Sequence, residues 1–231
     1  MKLFFQHSLF FGVCLSLISY GIGAWLKSKY RSPLLNPLLI GIILTSSVLL
    51  LFEIDYAHYN GSAKYLSYLL TPATVALAVP LYEQFELLKK HAKAVLSGIA
   101  AGVLTGLGCV LFLSFLFGLD HTAYVTLLPK SITTAIGIGV SEELGGHVSL
   151  TVAVIIITGI LGNVFAETAC KLFHIGNPIA KGIAIGSASH AIGTAKAMEM
   201  GEIEGAMSSL SMILSGILTV LLAAPFAGLL P

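Results

Sequence analysis

Long apolar runs alternate with short polar connectors along almost the whole chain. Residues 4–26 form the first run, with Trp25 near its end, where an interfacial aromatic belongs. Lys27, Lys29 and Arg31 make a compact basic loop after it. Residues 34–52 form a second run that opens on Asn36-Pro37. Proline suits a first helical turn, and an asparagine before it caps. Residues 53–67 carry Asp55, Tyr56, His58 and Tyr59 and read as an interfacial connector. Residues 68–82 are apolar but short, interrupted by Pro72 and Pro80. A loop with Lys89, Lys90 and Lys93 leads to residues 94–117, where Gly98, Gly102, Gly106 and Gly108 permit close helix contact in lipid. Residues 127–140 are again short and spiked with polar groups, and 141–147 read as a loop. Residues 148–166 and 210–230 are clean spans. Between them lies the most polar stretch, 186–205, whose Glu202 and Glu204 read as a solvated loop.

Composition fixes the medium. The 231 residues are 56% hydrophobic and 10% charged, with mean hydropathy +0.94, whereas soluble domains carry about 25% charged residues. The expected fold is an all-α polytopic integral membrane protein of about eight hydrophobic segments, at roughly 20 residues each. Lys+Arg 12 against Asp+Glu 11 excludes nucleic acid as a partner and leaves the lipid bilayer. Residues 3–26 are too closely followed by another apolar run to read as a cleaved signal, so they are expected to stay as a first helix. Cys14, Cys109 and Cys170 sit in apolar runs without metal spacing and read as packing residues. No metal or cofactor is expected.

The two densest basic loops lie two crossings apart, hence on one side, which is cytoplasmic by the positive-inside rule. In the second half the rule turns on residues 127–140: Lys171 and Lys181 fall outside if that segment crosses and inside if it is re-entrant. The stretch Asn36-Pro-Leu-Leu-Ile-Gly echoes in Asn177-Pro-Ile-Ala-Lys-Gly. With five crossings between the copies, the pattern is that of an inverted repeat.

Three segments carry candidate chemistry: 70–80, 129–139 and 186–196. Each is short, rich in small residues, and places Ser or Thr near Pro or Gly. A helix broken there frees backbone N–H groups and a positive dipole end for an anion. Irregular backbone at membrane depth persists only where it is buried or lines a cavity. The candidate substrate contacts are Pro72, Thr74, Lys130, Ser131, Thr133, Thr134, Ser187, Ser189, His190, Gly193, Thr194 and Lys196. The cations neutralise a carboxylate and the hydroxyls orient it. His190 or Glu199 is a candidate proton carrier, because burial moves such groups toward the working range. Plainer readings stand beside these. Lys130 fits a snorkelling lysine, Lys196 and Glu199 fit an i,i+3 pair, and His190 fits a packing histidine with its ring nitrogens satisfied.

Catalysis is not expected. Ser189 and His190 are neighbours and point about 100° apart on a helix, so they make no nucleophile–base pair. No metalloprotease helix motif and no phosphate loop is present.

Four motifs in order carry a resemblance: Leu34-Leu-Asn-Pro-Leu-Leu, Pro72-Ala-Thr-Val-Ala-Leu-Ala-Val-Pro-Leu-Tyr82, Leu128-Pro-Lys-Ser-Ile-Thr-Thr134 and Ala188-Ser-His-Ala-Ile-Gly-Thr-Ala195. Together they resemble the LrgB/CidB family of antiholin-like bacterial membrane proteins, to which a plant plastid glycolate/glycerate transporter is related. The chain departs from the family pattern at Ala135, where proline commonly follows the paired threonines. The resemblance implies a single LrgB-like transmembrane domain over residues 1–231, in multi-pass form in the bacterial inner membrane. It implies either transport of a small monocarboxylate (glycolate, glycerate or pyruvate) or regulation of murein hydrolase activity and lysis with a holin-like LrgA-type partner. A homo-oligomer is the expected assembly. The polar broken segments favour transport by alternating access, with proton coupling.

Overall fold

The computed structural model describes residues 10–30, 35–69, 72, 75–76, 78–83 and 85–230, of which 67, 78, 80, 81, 87 and 88 by backbone alone. Among the described residues every regular element is helical: α1 (Phe11–Tyr30), α2 (Pro37–Leu51), α3 (Tyr56–Ser67), α4 (Ala78–Glu83), α5 (Phe85–Phe117), α6 (His121–Leu127), α7 (Thr134–Glu143), α8 (Val148–Leu172), α9 (Pro178–Met200) and α10 (Glu202–Ala227). Four helices among the described residues are long and apolar enough to cross a bilayer: α1, α5 over Lys89–Phe117, α8 and α10. The chain is thus a multi-pass membrane protein, but the expected count of about eight hydrophobic segments, some broken or re-entrant, and the expected inverted repeat are not reproduced by these four spans. Two further stretches double back as hairpins, and the basic loop at Lys89–Lys93 is helical. Leu, Lys, Glu and Ala are good helix formers, and Lys89 pairs with Glu86 at 3.1 Å one turn back.

The chain divides into two compact units, Met1–Ala76 and Leu77–Pro231. In the first, α1 packs on α2 and α3. Gly12 brings the backbones close enough for its N–H to donate to Ser62 Oγ at 2.7 Å, and Ser16 Oγ meets Tyr59 OH at 2.8 Å. Asn36 caps α2 as its sequence predicts, Oδ1 accepting from Leu38 N at 2.8 Å and Leu39 N at 3.3 Å.

In the second unit the packing fixes helix direction. Val95 and Ile99 of α5 cluster with Ile183 of α9 and with Ala206 and Met207 of α10. Further along, Val103, Leu107 and Val110 cluster with Tyr124 and Val125 of α6 and with Ala227 of α10. So α5 and α10 run parallel. α8 runs against them: Thr151, near its start, bonds Thr126 O and Ser141 Oγ, while Ala166, near its end, packs on Ile185 and Ala197 of α9.

Helices α6 and α7 form the first hairpin. Asp120 caps α6 by accepting from Ala123 N at 2.7 Å. Pro129 follows α6 and stops it, and two turns close the tip, Lys130 N to Leu127 O at 3.2 Å and Ile132 N to Pro129 O at 3.3 Å. The returning helix packs Gly137 against Pro129 and brings Leu144 onto the Tyr124, Val125 and Leu128 cluster. The hairpin is pinned at its base by Thr126, whose Oγ1 accepts from His147 N at 2.8 Å.

Helix α9 is the second hairpin. Asn177 caps it, accepting from Ile179 N at 2.9 Å and Ala180 N at 3.2 Å. Its one non-helical residue is His190, at φ 42 and ψ −143. There the chain doubles back: a β-carbon on Gly193 would sit 3.3 Å from Ile185 O, although eight residues of straight helix span about 12 Å. Ile185 also shares a cluster with Ala197. The two hairpins open at opposite ends of the unit. One end gathers Lys89, Lys90, Lys93, Lys171, Lys181 and Lys196; the other carries Asp120, Glu142 and Glu143.

Candidate functional site

Where the hairpin tips approach each other they enclose, with α5 and α10, a cavity of about 450 Å³. Ligand cavities run about 300–1,000 Å³. Lys130 and Ser131 reach it from the first tip, Ser187 from the first arm of α9, Gly102 and Gly106 from α5, and Thr219 from α10. Lys130 Nζ donates to Ser131 Oγ at 2.9 Å, one bond from an ammonium that has three donors. Ser187 Oγ donates to Ile183 O at 2.8 Å, which leaves its lone pairs open toward the cavity. The glycines are part of the construction: a β-carbon on Gly102 would come within 2.9 Å of Ser187 Oγ. Thr133 is the N-cap of α7 and makes no side-chain bond to the first turn, so that helix presents free N–H groups at the tip. One cation, two hydroxyls and a nearby helix start are what a small anion needs at membrane depth.

The second tip is built from tight contacts rather than from open groups. The His190 ring is buried and its Nε2 lies 2.9 Å from Ile155 O on α8. Gly159 leaves room for that ring: an added β-carbon would be 2.7 Å from Cε1. Ser189 packs directly over Gly162 and Gly193. Thr194 Oγ1 donates to His190 O at 2.9 Å and meets Ser208 Oγ at 2.9 Å. Asn163 Nδ2 donates to Ile192 O at 2.7 Å. These contacts answer the backbone groups that the break in α9 sets free.

The sequence-named residues therefore separate into groups. Lys130, Ser131 and Ser187 meet at one cavity. Ser189, His190, Gly193 and Thr194 are buried and hold the second tip together. Thr133 and Thr134 stand at the first tip, half-buried. Lys196 is away from the cavity, at the mouth of the second hairpin, bonded to Glu167 at 2.6 Å and Glu199 at 3.2 Å. Pro72 is exposed and belongs to the other unit; Thr74 lies outside the described residues.

Glu204 reverses an expectation. It is not in a solvated loop but in the first turn of α10, 9% exposed, with Lys181 Nζ 3.9 Å away. It lines a vestibule of about 640 Å³ between the ends of α8, α9 and α10. The sequence signal for it lies downstream: Glu204, Ser208, Ser211, Ser215 and Thr219 fall at helical spacing on one face of an otherwise apolar run.

The profile of the LrgB-like family matches residues 16–229. "Antiholin-like protein LrgB" of Bacillus mycoides (strain KBAB4) is 36% identical over 218 residues, 94% of this chain and 95% of that protein. The protein of the same name from Bacillus cereus (strain B4264) matches to the same extent. "Uncharacterized protein YxaC" of Bacillus subtilis (strain 168) is 38% identical over 206 residues, 89% of this chain and 90% of that one. No solved structure matches. With its profile and its full-length relatives in agreement, the chain belongs to the LrgB-like family.

Proposed function

We propose that this protein moves a small monocarboxylate such as glycolate, glycerate or pyruvate across the membrane. The observation that carries the reading is Lys130 with Ser131 and Ser187 at a cavity between two re-entrant tips. A lysine at membrane depth is expensive, and its usual reason is a ligand or an ion path. Residues 121–172 and 178–227 each run hairpin then span, from opposite ends. Such an arrangement supports alternating access around a fixed central site. Because residues 121–143 turn back, Lys171 and Lys181 fall at the same end as Lys89–Lys93, and the positive-inside rule assigns that end to the cytoplasm.

The printed names of the relatives favour a second reading more directly, an antiholin-like role; in that reading the protein regulates lysis with an LrgA-like partner. They say nothing of a carboxylate. Uptake into proteoliposomes separates the two. The transport reading expects saturable uptake of labelled glycolate or pyruvate, reduced about 10- to 150-fold in affinity by Lys130→Gln. That range follows from about 1.5–3 kcal/mol for a hydrogen bond to a charged group. No uptake by the protein, alone or with an LrgA-like partner, leaves the regulator reading standing.

A further inference from the structure

Helix α10 lines both cavities along one face, as the first arm of α9 does through Lys181, Ala184 and Ala188. Glu204 lines the vestibule at its start, and Thr219 lines the central cavity four turns later. Between them lie Ser208, Ser211 and Ser215, so the steps from Glu204 to Thr219 are four, three, four and four residues and all five side chains share one stripe. The stripe is buried along its length: Ser208 and Ser211 are 0% exposed, Ser215 is 1% and Thr219 is 5%. Ser208 meets Thr194 Oγ1, and Ser211 donates to Ile183 O at 3.0 Å. Ser215 Oγ is different. It is buried and has no hydrogen-bond partner among the described residues. A buried hydroxyl without a partner is costly, unless a water or an ion comes to it.

We propose that this stripe is a hydrated proton path from the vestibule to the central cavity, with Glu204 as the carboxylate that takes up the proton and Ser215, one turn before the cavity-lining Thr219, as the relay. The inference rests on the transport reading. Its chemistry balances simply: Glu204 takes one proton from the vestibule, water and the Ser215 hydroxyl pass one on, and one proton crosses with each carboxylate. The geometry suits a proton better than sodium. A hard cation needs several oxygens converging on one point, whereas the stripe offers about one hydroxyl per turn, and two of those are already bonded. Glu204 shares the vestibule with other charged and titratable groups. Glu167, Cys170 and Lys171 face the vestibule from α8, His174 from the connector, and Lys181 and Glu199 from the two arms of α9.

The test is glycolate accumulation in proteoliposomes under an imposed gradient of one pH unit. One proton per anion sustains about tenfold accumulation, because tenfold is the equilibrium equivalent of one pH unit. Glu204→Gln and Ser215→Val are expected to bring accumulation down to about onefold while glycolate counterflow continues. Ser215→Thr, which keeps the hydroxyl, is expected to restore it. Counterflow by wild type that ignores the pH gradient, or follows a sodium gradient instead, overturns the path and leaves transport intact. Tenfold accumulation by Ser215→Val also overturns the path alone. Absence of any wild-type counterflow overturns the transport reading and the path together.

Discussion

Replacing Gly162 by alanine tests whether the second hairpin is held at its tip as described. Gly162 faces Ser189, and an added methyl would strike both Ser189 Oγ and Ser189 Cβ. Overpacking of this kind costs about 1–3 kcal/mol. Alanine returns about 1 kcal/mol in helix propensity. A displaced Ser189 drags its neighbour His190, whose 2.9 Å contact with Ile155 O is worth about 1 kcal/mol while it lasts. The balance is a loss of about 1–3 kcal/mol, or roughly 2–12 °C in the melting temperature of a protein this size. The assay is thermal unfolding of the detergent-purified protein, with Gly139→Ala as control, since nothing lies within 4 Å of a β-carbon there. The second mutation sharpens the test. Because the clash includes Cβ, Ser189→Ala should not rescue Gly162→Ala, whereas Ser189→Gly should. The cycle should show a coupling of at least about 1 kcal/mol, as expected for residues in contact. An unchanged melting temperature in Gly162→Ala, or purely additive effects with Ser189→Gly, would refute the packing and with it the position of the tip.

Single cysteines introduced at Gly176 and Gly201, in a background free of Cys14, Cys109 and Cys170, should both react with a membrane-impermeant thiol reagent from the same side; labelling from opposite sides would mean that α9 crosses. Lys196→Gln should change glycolate affinity far less than Lys130→Gln does, because Lys196 lies away from the cavity and is committed to Glu167 and Glu199; a loss as large as that of Lys130→Gln would return Lys196 to the site.

Much of the fold is visible in local sequence because each cue acts over a few residues. Asn36-Pro37 caps and starts a helix as read, since cap chemistry needs only the next three N–H groups. The breaks near Pro129 and within 186–196 were visible for a similar reason. What the sequence hid was the depth of each element. Whether 127–140 crosses or turns back depends on Gly137 closing onto Pro129 and on Thr126 bonding across to His147 and Thr151, contacts between residues far apart in the chain. The same limit applied to the site. Lys130, Ser131 and Ser187 were named for their chemistry and do meet. His190 and Lys196 were named on equal grounds, but long-range partners, Ile155 for one and Glu167 for the other, commit them elsewhere. Glu204 was missed because two glutamates in a glycine-rich stretch look like a loop until Gly182 is seen to pack against the Glu204 backbone.

The placing of the lysines also bears on how the chain is made. In the second unit every lysine except one sits at the end from which the positive-inside rule starts the spans, so none of those has to pass through the bilayer during insertion. Lys130 does. In the proposed orientation its hairpin opens at the opposite end, so this side chain is carried across before it reaches its cavity, against a barrier of about 2.5–3.5 kcal/mol even on the lenient insertion scale. A glutamine or serine there would ease assembly at every round of synthesis. The cell keeps the one cation that is hardest to deliver, at the tip of the one hairpin that has to be carried through to present it.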